Sequence, residues 1–102
     1  MAAELLRKKL IVREKVAQEI VSTEVTYCNT LGTIVKEFLE PSEAILKRPH
    51  VVDIFSNIDQ LWHLHQPILE EMQKCVANWT ENSCLASVFL NLVRSKGSFV
   101  FP

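Results

Sequence analysis

Between Glu4 and Glu40 the chain holds no proline and a single glycine, Gly32. Nothing in that stretch punctuates the backbone, so it must fold as one long element. Its apolar residues recur at helical steps. Val16, Ile20, Tyr27, Leu31, Ile34 and Phe38 are separated by three, four or seven residues, which brings them to one side of a helix. A neighbouring column, Ala17, Val21, Cys28 and Val35, widens that face, and Ser22, Thr26, Asn29, Thr33, Lys36 and Glu40 form a polar stripe opposite. The pattern predicts one helix of about 35 residues with both columns on its apolar face. That exceeds ordinary globular helix lengths and points to an elongated bundle. Pro41 is expected to end the helix, because the residue before a proline avoids the helical region.

Pro49 closes a short stretch over 42–48 that carries Ala44, Ile45 and Leu46. A second main helix is expected from about Val51, with Val51, Ile54, Phe55, Ile58, Leu61, Trp62, Leu64, Leu69 and Met72 inward. Pro67 should kink or divide it. Residues 78–83 read as a polar loop, in which Asn82 or Ser83 caps a third helix starting at Cys84. That helix would bury Leu85, Val88, Phe89 and Leu92 and stop near Gly97; the apolar tail over 98–102 has no assignable period. Every confident element is helical. The fold class is therefore all-α, an elongated helical bundle within one domain of 102 residues.

A net charge of −1 gives no basic field for a nucleic acid or an acidic membrane surface. No run approaches the roughly 18–20 apolar residues of a membrane span. The opening residues, with Glu4, Arg7, Lys8 and Lys9, do not form a signal peptide. Cys28, Cys75 and Cys84 are odd in number and lack Cys-x-x-Cys spacing, so free thiols in a reducing, cytoplasmic setting are expected. Without a secretory signal, Asn78-Trp79-Thr80 is a chance match to the glycosylation sequon. Hydrophobic residues reach 48% and mean hydropathy is +0.11, high enough that either the core is unusually full or some apolar surface awaits a partner.

Chemistry is sparse. His63 and His65 stand about 200° apart on a helix, so they do not share an ion, and no further His or Cys lies at ligand spacing; no metal is expected. His65, beside the Leu61 and Leu69 face, reads as a packed boundary histidine. The cysteines lie in apolar helical patterns, where free Cys behaves as a small hydrophobe. No glycine-rich loop cradles a phosphate, so no nucleotide and no cofactor are expected. Glu19 and Glu24 point about 140° apart, which excludes an acid–base dyad. Judged as residues alone, both are surface acids.

Their order along the helix carries more. Glu19-Ile20, Thr23-Glu24, Tyr27 and Leu31 resemble the opening segment of the Dbl-homology domain, which catalyses nucleotide exchange on Rho-family small GTPases. Phe38-Leu39-Glu40-Pro41 is similar to the end of that domain's first helix. Ile54-Phe55-Ser56-Asn57-Ile58 with Leu61, His65 and Leu69 is similar to its Phe-x-Asn-Ile … Leu … His pattern, and Val88-Phe89-Leu90 to the segment leading into its second motif block. The resemblance covers about residues 11–92 and is Vav-like in Thr30-Leu31-Gly32. It implies a guanine-nucleotide exchange factor that regulates a GTPase without covalent chemistry. Glu19 is then the residue that contacts the GTPase switch I loop, with Thr23 one turn along assisting. Glu24, Tyr27 and Leu31 are implied to support the helix and its packing.

Family members continue through further long helices. Here residues 93–102 no longer follow the pattern and read as a replaced end, as in a truncated isoform. The resemblance is therefore to the N-terminal half of the domain, with exchange weak or absent in the chain alone. Uncovered apolar faces would then favour self-association. Two alternatives stand beside exchange: a non-catalytic helical interaction module that binds a GTPase or a full-length exchange factor, and an unrelated bundle.

Overall fold

A computed structural model describes residues 2–96. Helix α1 (Ala2–Ile34) passes without a loop into a π-helical turn (Val35–Leu39) and a last turn of α-helix, α2 (Glu40–Glu43). After a bend come α3 (Arg48–Phe55), α4 (Ile58–Ala77) and α5 (Ala86–Lys96). The described residues contain no strand, and the all-α architecture is the expected one.

The first helix does not stop at Pro41. In a plain α-helix a proline ring clashes with the carbonyl four residues back. The turn ahead of Pro41 widens instead, with the Glu40 N–H donating to the Val35 carbonyl five residues earlier. Pro41 then lies in the first turn of α2, where a missing N–H costs nothing. Ser42 Oγ donates to the Phe38 carbonyl at 2.6 Å. Val35 and Leu39, four apart across this turn, are both buried.

The packed face differs from the expected one. Ala17, Cys28, Leu31, Gly32, Val35 and Leu39 are buried, whereas Val16, Ile20, Tyr27 and Phe38 are exposed. Two adjacent columns share the same period, so periodicity alone did not separate them. Side-chain size does. Ala17, Cys28 and Gly32 are small and let α4 approach, and a Cβ added at Gly32 would stand 3.1 Å from Trp62 Nε1.

Nor does Pro67 divide the second helix, since α4 is continuous through it. The interruption falls earlier, at Ser56 and Asn57, and separates α3 from α4. Ser56 adopts φ 53°, ψ −123°, a region that only glycine enters freely. Ile54, expected inward, is exposed, and Ile68 is buried in its stead. Helix α5 begins at Ala86, two residues later than expected. Ser83 Oγ accepts the Thr80 N–H at 2.8 Å, so it ties the loop rather than capping the helix, and Phe89 is exposed. The expected stop near Gly97 and the tail over 98–102 lie outside the described residues.

Helices α1 and α4 run antiparallel as the main packed pair, and α5 folds back along α4. Two apolar clusters hold them. Val35, Leu39 and Val51 gather Phe55, Ile58 and Trp62 at one end. Ile68, Met72, Val88 and Leu92 gather Val21, Leu64, Cys75 and Leu85 at the other. The Arg13 guanidinium lies 4.9 Å from the Trp79 ring and donates to the carbonyls of Glu81 and Ser83, which fastens α1 to the α4–α5 loop. Residues 2–9 project beyond this tie, exposed on all sides. The molecule measures 66 × 28 × 18 Å, and its radius of gyration of 18.3 Å exceeds the roughly 13 Å of a compact domain of this length.

Two outcomes test this arrangement by urea unfolding. Leu39→Ala should cost about 2–4 kcal/mol, while Phe38→Ala next to it should cost under about 1 kcal/mol. Ser56→Gly should stabilise by about 1 kcal/mol, because it relieves the positive φ.

Candidate functional site

The two residues singled out by the sequence lie on the same exposed side of α1. Thr23 Oγ1 donates to the Glu19 carbonyl at 3.0 Å, as threonines inside helices commonly do, so this bond says little about function. The Glu19 carboxylate is exposed and enters none of the ion pairs of the described residues. It is a charged acceptor held on a rigid element and still free to meet an external donor.

Glu24, five residues on, is not a surface acid. It is partly buried against α4, where His65 Nδ1 donates to its Oε1 at 2.6 Å. Tyr27 meets the same imidazole edge-on, with ring centroids 4.9 Å apart at 76°. The buried Cys28 thiol lies 3.8 Å from Glu24 Oε1 and 3.7 Å from the His65 carbonyl oxygen, both acceptors. Burial and then the Glu24 carboxylate push the Cys28 thiol above its ordinary pKa, because both disfavour the thiolate. This cluster is a packed polar junction that fixes the rotation of α1 against α4. It thereby aims Glu19 and Thr23 outward.

The sequence held one sign of Glu24's place. Ala17, Glu24, Cys28 and Leu31 step by seven, four and three residues, so Glu24 falls within the buried column. His63 turns away from His65 and pairs with Asp59 at 3.2 Å on the exposed side. Among the described residues no three His, Cys, Asp or Glu side chains gather where a metal could bind, and no helix is long and apolar enough to cross a membrane. A shallow groove of about 440 Å³ follows the α1–α4 seam past Gly32, Lys36, Trp62 and Gln66, with Lys36 Nζ 5.4 Å from the Trp62 ring.

Thiol alkylation followed by mass spectrometry checks the junction. The exposed Cys84 should react first and Cys28 last. Reaction at Cys28 should stay slow until the pH passes the usual thiol range, because its thiolate is disfavoured. Glu24→Ala should remove one cause of that shift and cost about 1–3 kcal/mol through the unpaired imidazole.

A family model, the RhoGEF domain, matches residues 16–100. Protein ECT2 of Mus musculus is 31% identical over 103 residues, which covers 90% of this chain and 11% of that protein. Proto-oncogene vav of Bos taurus is 41% identical over 61 residues, 60% of this chain and 7% of that protein. RhoGEF domain-containing protein gxcJ of Dictyostelium discoideum is 33% identical over 60 residues, 59% of this chain and 5% of that protein. The chain thus spans 11% or less of the length of these curated relatives. No solved structure matches it. The match takes in α1 from Val16 onward with Glu19, the Glu24–His65 junction and all of α5, and on it the chain belongs to the RhoGEF domain family.

Proposed function

We propose that this chain presents α1 to a Rho-family small GTPase and promotes release of its bound guanine nucleotide, with Glu19 meeting the switch I loop and Thr23 beside it. The observation that carries the reading is the exposed Glu19 carboxylate, free of any internal ion pair, within a segment matched by the RhoGEF family. Exchange of this kind requires no covalent step. It requires only that the nucleotide-free GTPase be bound more tightly than the loaded form, so that its population rises. A carboxylate accepting a charge-assisted bond from a displaced switch loop supplies such a difference. One such bond contributes about 1.5–3 kcal/mol. Swinging a two-state equilibrium from one side to the other takes about 5.5 kcal/mol. Exchange through this contact alone is therefore weak.

The alternative is a non-catalytic module that binds a GTPase, or a full-length exchange factor, through the same face. The exposed apolar residues along α1 favour it, since they supply area without chemistry. Self-association through those residues belongs to the same reading. Three free thiols suit the cytoplasm as its setting. Release of a fluorescent guanine nucleotide from a panel of Rho-type GTPases separates the readings. Exchange predicts release above the intrinsic rate, with the enhancement lost by about tenfold or more in Glu19→Ala. Binding with unchanged release supports the module, and no binding to any GTPase overturns exchange and GTPase docking alike.

A further inference from the structure

Leu5, Val12, Val16, Ile20, Tyr27 and Phe38 are all exposed, between 40% and 59%. Their spacings of seven, four, four, seven and eleven residues place them on one line along α1 and its π-helical continuation. This stripe lies beside the buried column, not within it, with Tyr27 at its inner edge also meeting His65 of α4. A stripe at these spacings is the seam by which one long helix packs on another.

The charges along it choose the partner. On the N-terminal side of residue 22, apart from the tied Arg13, the ions that enter no ion pair among the described residues are Arg7, Lys8, Lys9 and Lys15 against Glu4, Glu14 and Glu19. Beyond residue 22 they are Glu37 and Glu40 against Lys36. One end of the stripe is basic and the other acidic. A second copy laid parallel would set like charges together, whereas an antiparallel copy sets basic ends on acidic ones and opposes the two helix dipoles. The midpoint of the stripe, between Leu5 and Phe38, falls near residue 22.

We infer that this face of α1 binds a second copy of the chain, antiparallel, about a two-fold axis near residue 22. This rests on the self-association named above and gives it a surface and an orientation. It also carries a consequence for the GTPase reading. Thr23 lies beside the stripe and Glu19 at its margin, so the paired form covers the residues assigned to the GTPase. Self-pairing and GTPase docking then exclude each other.

Sedimentation velocity of the chain over a concentration series at low salt tests the inference without any GTPase, so it stands or falls apart from the exchange reading. A concentration-dependent dimer is expected. Ile20→Asp, at an exposed position, should weaken it by about tenfold or more while the helical circular dichroism is kept. The reversals Lys8→Glu with Lys9→Glu, and Glu37→Lys with Glu40→Lys, should each weaken the dimer, and all four in one chain should restore it. A monomer throughout overturns the inference. So does a dimer that persists in Ile20→Asp, or a four-fold reversal that fails to recover association while its circular dichroism is intact.

Discussion

The rest of the structure depends on the close approach of α1 and α4, which Gly32 permits and Trp62 fills. A larger residue at 32 would push the indole out of a space in which even a methyl stands 3.1 Å from its nitrogen. With the helices that close, Glu24 and His65 reach hydrogen-bond distance, and the two apolar clusters form on either side of the contact. Small residues set the separation of the helices, and the polar junction sets their rotation. The free carboxylate of Glu19 points outward because Glu24, five residues later, is fixed inward.

That division between a fixed acid and a free one bears on how an exchange surface is built. A carboxylate already paired inside its own protein would have to break that pair before meeting a switch loop, and would lose much of the energy it offers. Glu19 carries no such cost. Its support comes from the backbone of a helix locked against α4, so little freedom is left to lose on binding. The junction at His65 therefore serves the surface without touching anything that binds there.

Much of this was legible in the residues. The long unpunctuated stretch announces a long helix, and the order of Glu19, Thr23, Glu24, Tyr27 and Leu31 resembles the family to which the chain belongs. What the pattern did not decide was which of two adjacent apolar columns is covered. Equal periods give equal signals, and the deciding quantity is the contact distance that Ala17, Cys28 and Gly32 allow. Glu24 divides in the same way: its acidity alone speaks for the surface, whereas its position and the family resemblance speak for the packing it has against His65. The prolines misled in the other direction. Pro41 and Pro67 both stand inside continuous helical segments, and the break that separates α3 from α4 is at Ser56, a residue type that gives no warning of positive φ.

The π turn at Val35–Leu39 has an evolutionary consequence. It stores one surplus residue inside a helix, with no loop to hold it. A related chain shorter by one residue there would close as plain α-helix and leave everything beyond it nearly in place, whereas the same surplus residue wound as ordinary α-helix would swing the far end by roughly 100°. A chain that kept the residue would hold Leu39 over the Val51 cluster, as this one does. Insertions and deletions usually collect in loops. Here the segment that best absorbs a change of length is the middle of the longest helical run, and a gap aligned to that spot would record a closed π turn, with the domain's far end unmoved.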